Sequence, residues 1–121
     1  MARRVLIAED SAPLRRACER FLAGNDYLVT ACASAAEAAV SIKTGDFPLL
    51  ITDFDLGDGY GTDLIALLKE KNPFAKALLI TGNEELAGTR GPGPAYADTE
   101  ALIKPFDMEQ LLDKLSALCG D

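Results

Sequence analysis

The feature that most constrains this chain is a set of short apolar runs with no polar alternation inside them. They occupy residues 5–8, 28–32, 49–52, 77–81 and 101–103. A strand with one wet face alternates apolar and polar residues. An unbroken run suits a strand covered on both faces, as in a parallel sheet whose crossover helices pack above and below it. The segments between the runs have helical spacing. Leu14, Ala17, Cys18, Phe21 and Leu22 recur at three and four, with Gly24 as a stop. Ser34 with Glu37 reads as a capping box opening a second helix that runs to about Gly45. Leu64, Ile65, Leu67 and Leu68 mark a third, ending near Asn72 and Pro73. Asp107 with Gln110 caps a last helix carrying Leu111, Leu112, Leu115 and Leu118.

This alternation predicts an α/β fold, a doubly wound parallel sheet of five strands with helices on both faces. One stretch breaks the pattern. Residues 88–94 hold three glycines and two prolines. A helix beginning at Glu84 cannot run through them, so the fourth helix is expected to be shortened or irregular and residues 88–98 to form a loop. No linker or long repeat divides the chain, so residues 1–121 are expected to form one domain, a normal size for one core.

Composition removes several function classes. The 12 basic and 19 acidic residues leave a net charge of -7, which argues against nucleic-acid wrapping and against docking on an anionic membrane. There is no histidine, hence no histidine general base, metal ligand or phosphohistidine on this chain. Cys18, Cys32 and Cys119 are far apart and odd in number, which predicts buried free thiols in a reducing compartment. The apolar run after Arg3 and Arg4 stops at Glu9, too short for a signal peptide, and no stretch reads as a membrane span. A cytoplasmic location is the expectation.

In doubly wound sheets, ligands bind beyond the carboxyl ends of the strands. The first run ends at Glu9 and Asp10, the third at Asp53 with Asp55 just after, the fourth at Thr81 and the fifth at Lys104 and Pro105. The predicted fold gathers all of these on one rim. Two carboxylates ~4 Å apart repel by about 4 kcal/mol at an effective dielectric of ~20. Several can stay ionised together only around a cation, and hard oxygen ligands without histidine or thiolate select Mg²⁺. A carboxylate beside Mg²⁺ can attack phosphorus and become an aspartyl phosphate. Lys104 would supply a mobile positive charge and Thr81 a hydroxyl donor for the transferred oxygens, in chemistry that is mostly positioning and charge neutralisation. Taken singly, Asp107 is a helix cap and Asp58 a turn residue between Gly57 and Gly59.

Residues 6–10, 50–53, 79–81 and 104–106, in that order and at that spacing, resemble the receiver domain of two-component response regulators over essentially the whole chain. The resemblance implies a flavodoxin-like (βα)5 fold with strand order 2-1-3-4-5. It implies that Asp53 is the phosphoacceptor and that Glu9, Asp10, Asp53 and the backbone carbonyl of Asp55 hold Mg²⁺, Asp10 more directly than Glu9. Lys104 would pair with Asp53 and then with its phosphoryl group, Thr81 would swing toward that group, and the bond between Lys104 and Pro105 would be cis. The donor would be a sensor histidine kinase or a histidine phosphotransfer protein. The output would pass to an unknown protein target, with no direct nucleic-acid contact and no membrane insertion.

Three departures stand out. Gly57 occupies the usual proline position, Ala101 the usual aromatic position three residues before the lysine, and the fourth helix is interrupted. Tyr96 is not assigned the missing ring's role. Asp55 adds a carboxylate expected to face the phosphoryl group and alter its lifetime. Two rival readings remain. One is an interaction module that keeps the fold without signalling by phosphorylation. The other is a phosphatase of the haloacid-dehalogenase type, whose Asp-x-Asp motif Asp53 and Asp55 resemble. There, however, that motif ends the first core strand and the acidic metal pair comes late, whereas here the acidic pair comes first. A nucleotide-binding role is weaker, since the turn after the first run has no glycine-rich cradle. The chain is accordingly expected to assist its own phosphorylation and dephosphorylation without turning over an external substrate.

Overall fold

The computed structural model describes residues 3–82 and 99–119. The described elements are, in chain order, β1 (Arg3–Ala8), α1 (Ala12–Ala23), β2 (Tyr27–Cys32), α2 (Ala35–Thr44), β3 (Leu49–Asp53), α3 (Gly61–Lys71), β4 (Lys76–Thr81), β5 (Thr99–Ile103) and α4 (Met108–Cys119). The strands form one sheet in the order β2-β1-β3-β4-β5, with every neighbouring pair parallel. This is the flavodoxin-like order, in which the chain reverses direction across the sheet beside β1 and β3. The expected helix from Glu84, the loop at 88–98 and Tyr96 lie outside the described residues.

Successive strand residues point to opposite faces, and this period of two divides the core. Val5, Ile7, Leu49, Ile51, Leu78 and Ile80 pack with Cys18 and Leu22 of α1 and with Leu111, Leu115 and Leu118 of α4. Leu6, Ala8, Leu50, Ala77 and Leu79 pack on the other face with Ala38 and Ile42 of α2 and with Leu64, Ile65 and Leu68 of α3. The central strands are therefore apolar along their middle stretches because helices cover them on both sides. Fully burying each large side chain contributes about 1.5–3 kcal/mol.

β2 departs from the expectation of two covered faces. It is an edge strand, most of it is only half-buried, and Leu28 is exposed. Its apolar run matches that of a central strand, so residue type alone did not reveal the edge.

The helix ends follow their sequence signals with one difference. The Ser34 hydroxyl accepts from the Glu37 amide at 3.1 Å. The Asp107 carboxylate accepts from the Gln110 amide at 2.9 Å, and the Gln110 side chain accepts from the Asp107 amide at 2.9 Å, closing a capping box. α1 does stop at Gly24, but Gly24 stays right-handed at φ -73. The left-handed reversal falls instead on Asp26 at φ 68, a conformation that aspartate tolerates better than most residues. Cys18 and Cys32 are buried free thiols as expected, whereas Cys119 is only half-buried. Among the described residues no helix is long and apolar enough to cross a membrane.

Candidate functional site

Parallel registry brings the strand tips together. Ala8 lies beside Thr52, Asp53 beside Ile80, and Thr81 beside Ile103. The residues that follow β1 and β5, and those that end β3 and β4, therefore share one rim. Glu9 is 2 % exposed and Asp53 9 %, whereas Asp10 is open to solvent. One carboxylate oxygen from each of the three lies within 4.8 Å of those of the other two.

Lys104 enters from the end of β5. Its Nζ lies 3.2 Å from Asp53 Oδ2 and 3.3 Å from Glu9 Oε1. The contact with Asp53 is a hydrogen bond; Glu9 Oε1 is buried and has no hydrogen bond, so Lys104 meets it only as an ion pair. Burial alone would lower the Lys104 pKa, but the adjacent Glu9 and Asp53 carboxylates outweigh it and hold the ammonium above its usual range. Burial pushes the Glu9 carboxyl up. The Asp10 side chain and the Asp53 charge add to that push, while the Ser11 amide and Lys104 oppose it. The bond between Lys104 and Pro105 is cis.

Glu9 is fixed from its own loop. Its Oε2 accepts from the Ser11 amide at 3.1 Å, and its carbonyl accepts from Arg15 Nη1 at 2.9 Å. Asp53 Oδ1 accepts from the Phe54 amide at 3.0 Å. Thr81 is buried at the tip of β4, and its carbonyl accepts from the Lys104 amide at 2.9 Å, tying the two strand tips together.

The turn from β3 into α3 is tight. A Cβ on Gly61 would stand 2.2 Å from the Asp53 carbonyl oxygen and 2.8 Å from Thr52 Oγ1, so no side chain fits there. Gly57 takes φ 84, the left-handed conformation that glycine adopts without strain. Asp55 is exposed, and its Oδ1 accepts from the Gly57 amide at 2.9 Å. One oxygen of this carboxylate is thus engaged by its own loop, a partner that the expectation of a side chain facing the phosphoryl position did not include.

Two residues outside the sequence motifs also shape the rim. Arg15 is one, through its bond to the Glu9 carbonyl. The other is Asp58, whose carboxylate accepts from the Ala35 amide at 2.9 Å and the Ala36 amide at 3.0 Å. These backbone donors hold its pKa below the usual carboxylate range. The sequence showed a turn residue between glycines; its partners are backbone groups more than twenty positions away, which residue type does not reveal.

The arrangement fits a hard divalent cation. Opposite ligands of an octahedral Mg²⁺ stand about 4.2 Å apart, so oxygens this close need shift only slightly to share one ion. The buried Glu9 Oε1 makes no hydrogen bond and faces the Lys104 ammonium, so this carboxylate oxygen is placed for ionic rather than hydrogen-bonding partners.

Comparison with known proteins agrees with this geometry. The sequence model for the response regulator receiver domain matches residues 5–116. The response regulator receiver protein CpdR of Brucella abortus is 29% identical over 116 residues, covering 96% of each chain. Other curated relatives are longer regulatory proteins, of which this chain spans from 24% to 62%. Among solved structures, a response regulator receiver protein from Sinorhizobium medicae superposes with a TM-score of 0.85 at 28% identity, covering 98% of this chain and 95% of that one. A response regulator protein from Burkholderia pseudomallei, described with a phosphorylated aspartic acid, a calcium ion and citrate, superposes at 0.77 with 26% identity, covering 93% of this chain and 66% of that one. With the match running through all five strands and the motif residues meeting on one rim, the chain belongs to the response regulator receiver domains of two-component signalling.

Proposed function

We propose that residues 1–121 act as one phosphorylation-dependent switch, in which Asp53 accepts a phosphoryl group from a phosphohistidine on a sensor histidine kinase or histidine phosphotransfer protein. The observation that carries this reading is the placement of Lys104 Nζ between Asp53 and Glu9 in a pocket with three carboxylates. The phosphorylated aspartic acid in the Burkholderia protein supports the same chemistry. Glu9, Asp10, Asp53 and the Asp55 carbonyl would hold Mg²⁺, which when bound supplies charge neutralisation for the carboxylates and the phosphoryl oxygens.

The residues divide the work. An Asp53 carboxylate oxygen forms the new bond to phosphorus. The bond from phosphorus to the donor imidazole nitrogen breaks, and that nitrogen leaves with its electron pair. Lys104, already an ammonium, keeps its positive charge beside the added oxygens. Thr81, one residue beyond the strand partner of Asp53, offers its hydroxyl to a phosphoryl oxygen and biases the segment after β4. The chain assists its own phosphorylation and dephosphorylation, works in the cytoplasm and passes its state to a protein target.

Ala101 favours a second reading. It lies in β5 opposite Leu79 and puts no ring where the family usually has one, as suits an interaction module that does not signal through phosphorylation. Mass spectrometry after incubation with acetyl phosphate separates the two. A Mg²⁺-dependent gain of one phosphoryl group, lost in Asp53→Ala, supports the switch; a folded wild-type chain that gains none leaves the module.

A further inference from the structure

The loop between β3 and α3 closes on itself, the Leu56 amide donating to the Gly59 carbonyl at 2.9 Å and the Gly61 amide to the Phe54 carbonyl at 2.7 Å, but it is rich in glycine. Residues 57, 59 and 61 are all glycine, and Gly57 sits at φ 84 with nothing near its Cβ position. A loop this rich in glycine gains freedom in every competing conformation. It also carries Asp55, whose backbone carbonyl belongs to the proposed Mg²⁺ site, where a shift of an ångström would matter.

Asp58 sits in the middle of this loop, and its carboxylate holds the first two amides of α2, Ala35 and Ala36. These are orphan donors at a helix start, and a carboxylate there also meets the positive end of the helix dipole. A second observation places the loop against the same spot. A Cβ on Gly59 would come 2.9 Å from the Ala35 Cβ, so the backbone passes close against the start of α2. The helix is anchored at its other end too. Lys71 of α3 donates to the carbonyls of Ile42 at 3.0 Å, Lys43 at 3.2 Å and Gly45. With its far end held and Ala38 and Ile42 buried, α2 is a fixed post, and Asp58 ties the loop to it.

We infer that Asp58 is a positioning residue for the acidic centre: by gripping the N-terminal amides of α2 it fixes the β3–α3 loop, and with it the Asp55 carbonyl. This rests on the proposed Mg²⁺ site. The same link makes the start of α2 sense the loop, so a change in what the rim holds shifts the Ala35 and Ala36 amides.

The test compares two ways of uncapping one helix. Asp58→Ala removes the cap that comes from the loop. Ser34→Ala removes the helix's own cap, the hydroxyl that accepts from the Glu37 amide, and leaves the loop alone. Both variants are checked for folding by circular dichroism, and Mg²⁺ affinity is measured by titration. Residues that orient metal ligands typically change affinity by about tenfold or more, so Asp58→Ala should raise the Mg²⁺ dissociation constant by ~10-fold, with Asp58→Asn between it and wild type and Ser34→Ala close to wild type. Equal losses in Asp58→Ala and Ser34→Ala, or wild-type affinity in Asp58→Ala, overturn the inference. Hydrogen exchange of the Leu56 amide, which donates to the Gly59 carbonyl at 2.9 Å, gives a readout that needs no metal. It should quicken in Asp58→Ala and not in Ser34→Ala; unchanged exchange in Asp58→Ala overturns the tether even if wild-type protein takes up no Mg²⁺ and the functional reading fails by itself.

Discussion

The loop after β1 and the loop after β3 both bring carboxylates to the same rim, but the side-chain hydrogen bonds that fix the first come from residues close in sequence, whereas in the second Asp58 reaches a distant helix. Glu9 is fixed by Ser11 two positions on and Arg15 six positions on, and Pro13 stiffens the entry into α1. The β3–α3 loop closes on itself through the Leu56 and Gly61 amides, with Gly61 pressed against the Asp53 backbone, and adds Asp58 reaching back 23 and 22 positions to α2. The β1 loop has one remote hydrogen bond of its own, from the Glu9 amide to the Cys32 carbonyl at 3.1 Å, but that is a backbone link continuing the sheet. The Asp58 tie gives the β3–α3 loop a link through which the start of α2 can change its shape.

The largest effect that would break this contrast is at Gly61. Gly61→Ala drives a methyl into the Asp53 carbonyl, and overpacking against backbone should destabilise the fold by about 3 kcal/mol in urea unfolding. Gly57→Ala, with open space but a left-handed backbone, should cost about 1 kcal/mol. Equal costs would mean that the turn is not tight where the geometry places it. On the other loop, Arg15→Ala removes the charged donor from the Glu9 carbonyl and should cost about 1.5 kcal/mol. A neutral result there would show that Ser11 and Pro13 hold the loop without help.

Smaller effects sharpen the comparison. Asp55→Asn should change the autodephosphorylation rate severalfold, measured by loss of the phosphorylated mass; an unchanged rate removes any role for this carboxylate in phosphoryl lifetime. The smallest effect concerns pH. Asp58 has its folded pKa below the ordinary value of 3.8 because the Ala35 and Ala36 amides favour its charged form. A depressed folded pKa adds stability that is fully present above the unfolded pKa and is lost as pH falls through the folded one. Asp58→Asn should therefore flatten the acid limb of stability below about pH 4 and leave the neutral region nearly unchanged. An acid limb identical to wild type would show that the two amides do not favour the charged form.

The same contrast explains what could be read in the sequence. Glu9, Asp10, Asp53, Thr81 and Lys104 were visible because each follows or ends an apolar run, and a parallel sheet brings such positions to one edge. The capping residues Ser34 and Asp107 were visible because their partners lie three positions on. Asp58 was not, because a backbone amide has no letter in the sequence and its distance along the chain gives no clue. β2 misled for a related reason. Whether an apolar strand is central or at the edge depends on the order of strands, and Leu28 looks the same in either place.

The three thiols differ in a way that has a practical use. Burial pushes Cys18 up to about 11, and Cys32 is raised for the same reason, so neither presents thiolate to solvent near neutrality. Cys119, half-buried at the end of α4, lines a shallow recess with Arg3, Leu49 and Lys76, where β1, β3 and β4 begin. A maleimide dye should therefore attach there alone, at the pole opposite the acidic rim, and would give a reporter of binding on either pole without a cysteine-free background having to be engineered.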